Sequence, residues 1–290
     1  MIRLKKGYRI LCWLLAACLL VGTLGLVYLH GEWWYPLLER LERKPPIGDL
    51  LEPTVPAAFT THWSLEELKA QENVTSTRNL MLVNGEHPLP EGYVPELIEY
   101  NKAKMHPLMK EDYIQLRDDV QRETGVRIYV VSDYRTSQEQ EEILQSSQSG
   151  IAAQVGCSEH EAGLALDVYA PHFDGMRFLN SVAGRMVNRV CHEYGFVIRY
   201  QKDKESVTGI SYEPWHLRYV GKTHAALMEQ SGLALEEYVT AYTPGVWYRT
   251  AEGVLIARLE EKGLVLPRGW SRCELSPDNT GYYFVTLYFD

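Results

Sequence analysis

Two short segments of the chain concentrate side chains that bind metal ions and move protons. Residues 158–167 read SEHEAGLALD, and residues 212–216 read YEPWH. Imidazole and carboxylate groups are common protein ligands of zinc, and three such ligands leave a fourth position open for water, which is the catalytic arrangement. His160, Asp167 and His216 are therefore the candidate ligands of one Zn²⁺ ion per chain.

The position of Asp167 on its predicted strand favours contact with a cation. Residues 164–169 alternate in character, so that Asp167 points away from the apolar face of the strand. An acid that projects from so apolar a strand is costly unless it is paired or bound to a metal. Gly163 permits a tight turn between His160 and the strand, and this turn brings the histidine close to Asp167.

Glu213 and Arg135 are the candidate catalytic groups. Pro214 disfavours helical geometry at Glu213, so that one of Glu213 and His216 can bind the metal while the other addresses water. Zinc lowers the pKa of water from about 16 to about 7, and Glu213 would take the proton and pass it to the leaving amine. Arg135 lies in the segment SDYRT, residues 132–136, and would stabilise the developing oxyanion.

Each of these residues also has an ordinary structural interpretation. A single histidine is more often a hydrogen-bonded structural residue than a metal ligand. Taken alone, Asp167 or Glu213 would be solvated or salt-bridged, and Arg135 would be a surface charge. Spacing by itself therefore leaves a structural role open beside the metal site.

The N-terminus predicts a membrane anchor. The first nine residues carry four basic side chains and no acid, and residues 10–29 carry no charge. As a helix this uncharged stretch spans about 30 Å, the thickness of the hydrocarbon core of a bilayer. Residues 33–35 (WWY) follow at the depth of an aromatic belt. Because basic residues stay in the cytoplasm, the rest of the chain is expected outside the cell.

Two other interpretations of the N-terminus remain open. A cleaved signal peptide has a shorter apolar core, of about 7–15 residues. Residues 15–18 (LAAC) resemble a lipoprotein cleavage box that ends at Cys18, but the chain stays apolar beyond it. A buried core helix is the remaining alternative.

Composition excludes some classes of protein. The chain has 290 residues and a formal net charge of −9, which makes nucleic acid an unsuitable partner. Its five cysteines show no CxxC spacing and do not suggest a disulfide scaffold. The oligomeric state cannot be read from these features.

The sequence divides into four parts. Residues 1–30 are the basic end and the anchor, and residues 31–77, which contain several prolines, are predicted to form an extracellular stalk. Residues 78–242 have the pattern of a compact domain. Residues 243–290 form a strand-rich extension whose role the sequence does not indicate.

Helices and strands alternate irregularly within residues 78–242, without the even repeat of a parallel α/β sheet. The predicted fold class is α+β, with a small, mostly antiparallel sheet covered by helices and an N-terminal transmembrane helix. The predicted helices are 65–71, 107–123, 136–144 and 175–194. The predicted strands are 126–132, 164–169, 196–200, 216–220 and 282–289, of which the first is expected to be buried.

These motifs resemble those of the VanY-type D-alanyl-D-alanine carboxypeptidases, which belong with the VanX dipeptidases and the Hedgehog signalling domain. SEHEAGLALD is similar to the family's S-x-H-x-x-G-x-A-x-D. TGISYEPWHLRYVG, residues 208–221, is similar to its E-P-W-H segment. SDYRT with Gln140 resembles S-G-Y-R-S-x-x-x-Q, and residues 79–97 and 233–239 resemble the start and the C-terminal helix of the domain. The resemblance covers residues 78–242 in one order.

The resemblance implies a role for each matching position. Zinc would be bound by His160, Asp167 and His216. Glu213 would be the catalytic base, and Arg135 would stabilise the oxyanion.

Further positions are implied to contact the substrate, and two depart from the family pattern. Ser158 and Gln140 fall where family members contact the substrate, and Trp215 would either shape the pocket or pack in the core. Asp133 replaces the usual glycine before the Tyr-Arg pair. Cys157 stands where the family has glycine, and as a thiol near the metal it would be either a fourth ligand or a bystander.

The resemblance implies a membrane-anchored zinc carboxypeptidase that removes D-alanine from peptidoglycan stem peptides or their precursors ending in D-Ala-D-Ala. Its partners would be this peptide and the lipid bilayer, through residues 10–29. Two alternatives remain. One is an L,D-carboxypeptidase acting on tetrapeptide stems, and the other is a non-catalytic wall-binding or sensing module of the same fold.

Overall fold

The structure is a computed structural model that describes residues 6–42, 44–55, 60–146 and 153–290. Part of the predicted basic end, residues 1–5, lies outside the described residues, as does Pro56 of the predicted stalk.

The α-helices are α1 (Lys6–Leu29), α2 (Gly31–Leu41), α3 (Leu65–Lys69), α4 (Pro107–Thr124), α5 (Ser137–Ser146), α6 (Val182–Val190), α7 (Glu205–Thr208), α8 (Lys222–Ser231) and α9 (Leu235–Ala241). The strands are β1 (Glu52–Thr54), β2 (Thr60–Trp63), β3 (Val74–Ser76), β4 (Ile98–Tyr100), β5 (Ala103–Met105), β6 (Tyr129–Ser132), β7 (Ala165–Tyr169), β8 (Phe196–Ile198), β9 (His216–Tyr219), β10 (Trp247–Arg249), β11 (Leu255–Glu260), β12 (Leu264–Pro267), β13 (Arg272–Pro277) and β14 (Tyr282–Tyr288).

A four-stranded sheet, here called the central sheet, lies within the domain predicted over residues 78–242. Its strand order is β6-β7-β9-β8, and every pairing is antiparallel. Leu166, Val168 and Leu217 project from its two inner strands into a core that they share with α4 and α6. Burial of each such leucine contributes about 2 kcal/mol. The α+β prediction, with a small antiparallel sheet covered by helices, is confirmed.

Local signals place several helix ends where the sequence predicts them. α4 begins with Pro107 at its first position and ends at Gly125, which has φ 73°. Only glycine adopts this left-handed conformation without strain, so the helix stops there. α3 begins with the capping box of Ser64 and Glu67, in which each side chain bonds the other residue's backbone N–H.

The long helix predicted over residues 175–194 is wrong, because the chain breaks at Ser181. Residues Gly175–Asn180 and Cys191–Tyr194 form 3-10 helices on either side of α6. Ser181 is extended, with φ −82° and ψ 146°, and its Oγ accepts a hydrogen bond from Gly184 N at 2.8 Å. The serine therefore starts a new helix instead of continuing one.

The predicted buried strand over residues 126–132 is shorter and lies at an edge. β6 pairs with β7 alone in the central sheet. Val131 is 66% exposed although it is apolar. β-branched residues suit an edge strand as well as a central one, so composition alone did not distinguish the two.

A second sheet, here called the flanking sheet, combines strands from residues 52–76 with strands from residues 247–288. Its order is β1-β10-β11-β14-β13-β3. β1 pairs antiparallel with β10, and β3 pairs parallel with β13, while β2 and β12 form a separate two-stranded sheet.

The structure thus differs from the stalk that the prolines predict over residues 31–77. Pro53 lies in β1, which is an edge strand. Proline is tolerated at a sheet edge because its missing N–H need not bond to a neighbour. Within this segment β1, β2 and β3 pair with strands at residues 247–277. Pro53 therefore marks a sheet edge rather than a linker.

Within the described residues, no single helix has the length and apolarity needed to cross a bilayer. α1 from Trp13 onward and α2 meet this criterion only together, across a bend of 80°.

Candidate metal centre

The two inner strands of the central sheet place Asp167 and His216 side by side. The two residues are directly paired between β7 and β9. Residues paired in this way have Cβ atoms about 5 Å apart, which suits two ligands of one ion. His160 lies in the turn before β7, where Gly163 has φ 72° and donates its N–H to the His160 carbonyl at 3.1 Å. The turn predicted at Gly163 is thus present.

Three ligand atoms converge at this point. His160 Nε2 lies 3.4 Å from Asp167 Oδ2, and His216 Nδ1 lies 2.9 Å from Asp167 Oδ1. All three side chains offer a ligand atom within 4.8 Å of the others. One ion with ligand bonds of about 2.0–2.2 Å, the values for zinc, fits among atoms so spaced. The structure brings together the three side chains that the sequence predicts as ligands.

Hydrogen bonds fix which nitrogen each histidine turns toward the site. His160 Nδ1 lies 2.8 Å from the carbonyl oxygen of Asp133, which can only accept. This ring therefore donates from Nδ1 and leaves Nε2 for the ion. His216 Nε2 lies 3.2 Å from Glu159 Oε2, which leaves Nδ1 for the ion. Such outer contacts are typical of histidines that bind metals.

Glu159 is the main residue that the sequence analysis missed. Its side chain is completely buried, and Oε1 accepts hydrogen bonds from Arg199 Nε at 2.6 Å and Arg218 Nη1 at 2.7 Å. Burial raises the pKa of this carboxyl, but the two arginines outweigh burial and hold the pKa well below its usual value. Glu159 is therefore ionised, and it accepts a hydrogen bond from His216.

A signal for this network is present in the sequence. Arg218 follows His216 by two residues on β9, so both side chains lie on the same face of the strand. A buried arginine beside a metal ligand requires an acid, and Glu159 directly precedes His160. The sequence does not show that Arg199 joins them.

Glu213 reaches the metal centre from a turn. His216 N donates to the Glu213 carbonyl at 3.1 Å, and Glu213 Oε2 lies 3.8 Å from His216 Nδ1. Burial raises the pKa of Glu213 to about 7, although the charges of His216 and Arg135 oppose the shift. A carboxylate with a pKa near neutrality is matched to accept and return a proton at that pH.

Without a bound metal, two of the candidate ligands, His216 and Asp167, carry opposite charges. Burial lowers the pKa of His216, but hydrogen bonds with Asp167 and Glu159 raise it to about 9. Burial raises the pKa of Asp167, but the charge of His160 and hydrogen bonds from both histidines hold it well below its usual value. A cation bound at this centre would therefore displace a proton from His216.

Arg135 and Gln140 lie together beside the centre. Arg135 N donates to the His160 carbonyl at 3.2 Å, while its guanidinium donates to Gln140 Oε1 at 2.7 Å and to Ser132 Oγ at 2.9 Å. Gln140 is buried and also donates to the Ala153 carbonyl. In this structure Gln140 therefore orients the arginine.

Ser158, Trp215 and Cys157 have structural contacts. Ser158 Oγ accepts a hydrogen bond from His160 N at 3.3 Å. Trp215 is half-buried against the core under the central sheet, which is the packing alternative. Cys157 is buried but does not belong to the group of candidate ligands found in the described part of the chain. Substrate contact by Ser158, Gln140 or Trp215 stays a prediction.

Comparison with known proteins agrees with this geometry. The VanY family profile, described as D-alanyl-D-alanine carboxypeptidase, matches residues 102–222. An Enterococcus faecalis D-alanyl-D-alanine carboxypeptidase is 32% identical in an alignment of 213 residues that covers 64% of this chain and 78% of that protein. The chain belongs to the VanY family. A bifunctional D-Ala-D-Ala dipeptidase and carboxypeptidase, VanXYC of Enterococcus gallinarum, is 34% identical over 55% of this chain and 92% of its own length.

Solved structures extend the likeness of this VanY-family chain. The vancomycin resistance D,D-dipeptidase VanXYg, in complex with a D-Ala-D-Ala phosphinate analogue, superposes with a TM-score of 0.62 at 27% identity. It covers 79% of this chain and 98% of its own. The LdcB LD-carboxypeptidase has a TM-score of 0.52 at 31% identity and covers 60% of this chain and 92% of its own.

Metal analysis of the full chain in detergent tests the ligand set. We expect about one zinc ion per chain in the wild type and its loss in His160→Ala, because two remaining ligands bind weakly. Cys157→Ser is the control and should keep its zinc. Zinc loss in the cysteine variant would instead make the thiol a ligand and the site closed.

A second substitution tests the role of Glu159. Glu159→Gln keeps the size of the side chain but removes the charge that orients His216, so zinc affinity should fall about 10–100-fold. Competition with a chromophoric chelator measures this change. The matched control is Glu161→Gln, because Glu161 is also buried but bonds Ser137 Oγ and Gly156 N rather than a metal ligand. Equal losses in the two variants would contradict the assignment.

Proposed function

We propose that this protein is a zinc-dependent D,D-carboxypeptidase anchored in the cell membrane. It hydrolyses the terminal D-Ala-D-Ala bond of peptidoglycan stem peptides and releases D-alanine. The observation that carries the proposal is the position of Glu213, a carboxyl with a pKa raised to about 7, whose Oε2 lies 3.8 Å from a nitrogen of the proposed ligand His216.

The residues present account for peptide hydrolysis. His160, Asp167 and His216 would hold the zinc ion, which would supply Lewis-acid chemistry toward the scissile carbonyl and water. Glu213 takes the proton of the attacking water and returns it to the leaving amine. Arg135 bonds the His160 carbonyl through its backbone, and its charge acts on Glu213. Its guanidinium stabilises the negative charge that develops on the carbonyl oxygen.

The names of the relatives support the substrate. The Enterococcus faecalis relative is named a D-alanyl-D-alanine carboxypeptidase, and VanXYC is named for both dipeptidase and carboxypeptidase activity on D-Ala-D-Ala. These activities share a D-alanyl-D-alanine bond as their target. We assign the carboxypeptidase activity to this chain because the family profile that it matches carries that description.

An L,D-carboxypeptidase acting on tetrapeptide stems is the second candidate. The LdcB LD-carboxypeptidase has a similar fold at 31% identity. The ligands, base and arginine do not distinguish the two activities, because the stereochemistry of the penultimate residue is read by the walls of the pocket. A panel of substrates therefore has to decide.

The membrane anchor rests on the sequence of residues 10–29 and on the exposed side chains of α1. Every residue at 13–25 and 27–29 is exposed in the structure, although most are apolar. A helix whose exposed side chains are mostly apolar suits a lipid surrounding. The basic N-terminal end orients the catalytic domain to the outside.

Substrate specificity and the catalytic base are tested together. The full chain should release D-alanine from a pentapeptide stem ending in D-Ala-D-Ala faster than from a tetrapeptide stem or from free D-Ala-D-Ala. Glu213→Gln should lower the rate by about 10²-fold or more while zinc content stays unchanged, since it removes only the proton acceptor. Cleavage of tetrapeptides alone would reject the D,D assignment, and undiminished hydrolysis by Glu213→Gln would leave a binding module as the better account.

The pH profile reports the same carboxyl. Glu213 must be deprotonated to act, so kcat/KM should rise with pH through the pKa of this group. Burial places that pKa at about 7, and a bound cation lowers it. We therefore expect an acid limb with a midpoint at or below about 7. Zinc content has to be measured at each pH, because protonation of the histidines also releases metal. A rate that falls with rising pH over this range would exclude Glu213 as the base.

A further inference from the structure

Helix α2 has one face that packs tightly on the catalytic domain. Gly31 lies so close to the 3-10 helix at Gly175–Asn180 that a Cβ atom would come within 1.8 Å of the Leu179 carbonyl oxygen. Glu32 N donates to Asn180 Oδ1 at 3.1 Å, and Tyr35 OH donates to the Arg185 carbonyl at 3.4 Å. Only glycine permits the close approach at position 31, so the packing is specific to this sequence.

Arg185 ties the end of α1 to the same surface. Its guanidinium lies 4.5 Å from the ring centre of Tyr28 and 5.6 Å from that of Trp34. The same group donates to the carbonyls of Leu179 and Asn180, and the arginine is buried. A cation held between two aromatic rings and two carbonyls is a strong attachment. The joint between α1 and the catalytic domain is therefore packed rather than extended.

The opposite face of α2 is apolar and exposed. Trp33, Leu37 and Leu41 recur at four-residue intervals and are 65%, 55% and 79% exposed, and Leu38 beside them is 53% exposed. An amphipathic helix with aromatic and leucine residues on its free face is typical of the membrane interface. α2 follows the apolar α1 after a break at His30, and the two helices meet at a bend of 80°. If α1 crosses the bilayer, α2 lies nearly in the plane of its surface.

We infer that α2 lies in the outer interface of the bilayer, with its Trp33–Leu41 face in lipid and the catalytic domain on its other face. The inference rests on the proposed membrane anchor. The occupant is the bilayer rather than another protein, because the exposed apolar residues of α1 extend to Leu29 and exposed apolar residues resume at Trp33, only four positions later.

This arrangement holds the metal centre at a fixed and short height above the membrane. The 3-10 helix that supports α2 begins at Gly175, whose Cβ position lies 4.0 Å from the ring of Trp215. Trp215 directly precedes the proposed ligand His216. One layer of packed side chains thus separates this 3-10 helix from β9, the strand that begins at His216. The substrates within reach are peptides whose carrier lies in, or directly over, the same leaflet.

Spin labels on the full chain in phospholipid vesicles test the position of α2. The label is attached to Leu37→Cys or to the control Val94→Cys, whose site is 76% exposed. In both variants Cys12 and Cys18 are replaced by alanine. Cys157, Cys191 and Cys273 are retained because they are buried. We expect the label at 37 to collide with oxygen and to be protected from a water-soluble nickel chelate, and the label at 94 to show the reverse. A label at 37 as accessible to nickel as the one at 94 would overturn the inference. Flotation of the vesicles separates this outcome from failure of the anchor, because a protein that does not float lacks the anchor itself.

A functional readout uses charge on the exposed face. The double variant Leu37→Asp, Leu41→Asp should still float and should hydrolyse soluble pentapeptide at the wild-type rate. Its hydrolysis of a pentapeptide coupled to lipid in the same vesicles should fall about ten-fold, because the site is no longer held over the leaflet. Val94→Asp is the control and should change neither rate. Unchanged hydrolysis of the lipid-coupled peptide by the double variant would contradict the inference. If the wild-type protein did not hydrolyse the soluble pentapeptide, that result would instead contradict the proposed enzyme activity.

Discussion

The metal centre depends on one buried carboxylate that is not itself a candidate ligand. Glu159 lies completely inside the protein and is neutralised by Arg199 and Arg218. An ionised acid in such a position is unstable unless its oxygens are satisfied. Both oxygens are used, one by the arginines and one by His216 Nε2. The orientation of His216, and with it the geometry of the centre, follows from this balance of charges.

The same network connects the centre to distant parts of the chain. Arg218 Nη2 donates to the carbonyls of Asn79 and Met81, at the start of the matched domain. Arg199 donates both terminal nitrogens to Glu236 on α9. The segment before α4 and the last helix of the domain are thus fixed by the groups that fix His216. A domain boundary drawn inside this network would remove partners of the metal centre.

The candidate ligands could be predicted from the sequence because the information is local. His160 and Asp167 are joined by a single turn and a single strand, and strand alternation places Asp167 on the open face. Glu159 was not assigned, because its partners Arg199 and Arg218 lie 40 and 59 residues later in the chain. The predicted strands 196–200 and 216–220 contain both arginines, but the sequence does not show that the two meet at one acid.

The limits of the fold prediction have a similar origin. Local signals such as the capping box of Ser64 and the glycine at 125 gave correct helix ends. Ser181 also carried a local signal, the N-cap of α6, but the apolar periodicity on both sides concealed it. The short strands of residues 52–76 had no local signal, since each acquires its identity from a partner near the opposite end of the chain. The prolines among them were compatible with a linker and with a sheet edge.

The flanking sheet has a consequence for how the protein is made. Glu52 pairs with Arg249, and Val74 pairs with Cys273. The first strands of the chain can therefore pair only after nearly the whole chain has been synthesised. The central sheet, by contrast, uses residues 129–219 alone. Contacts between residues so far apart in sequence form late, because a large loop must close first. During synthesis the catalytic half can fold while β1, β2 and β3 remain unpaired. A product interrupted before β10 would leave all three strands with unpaired edges that are open to aggregation.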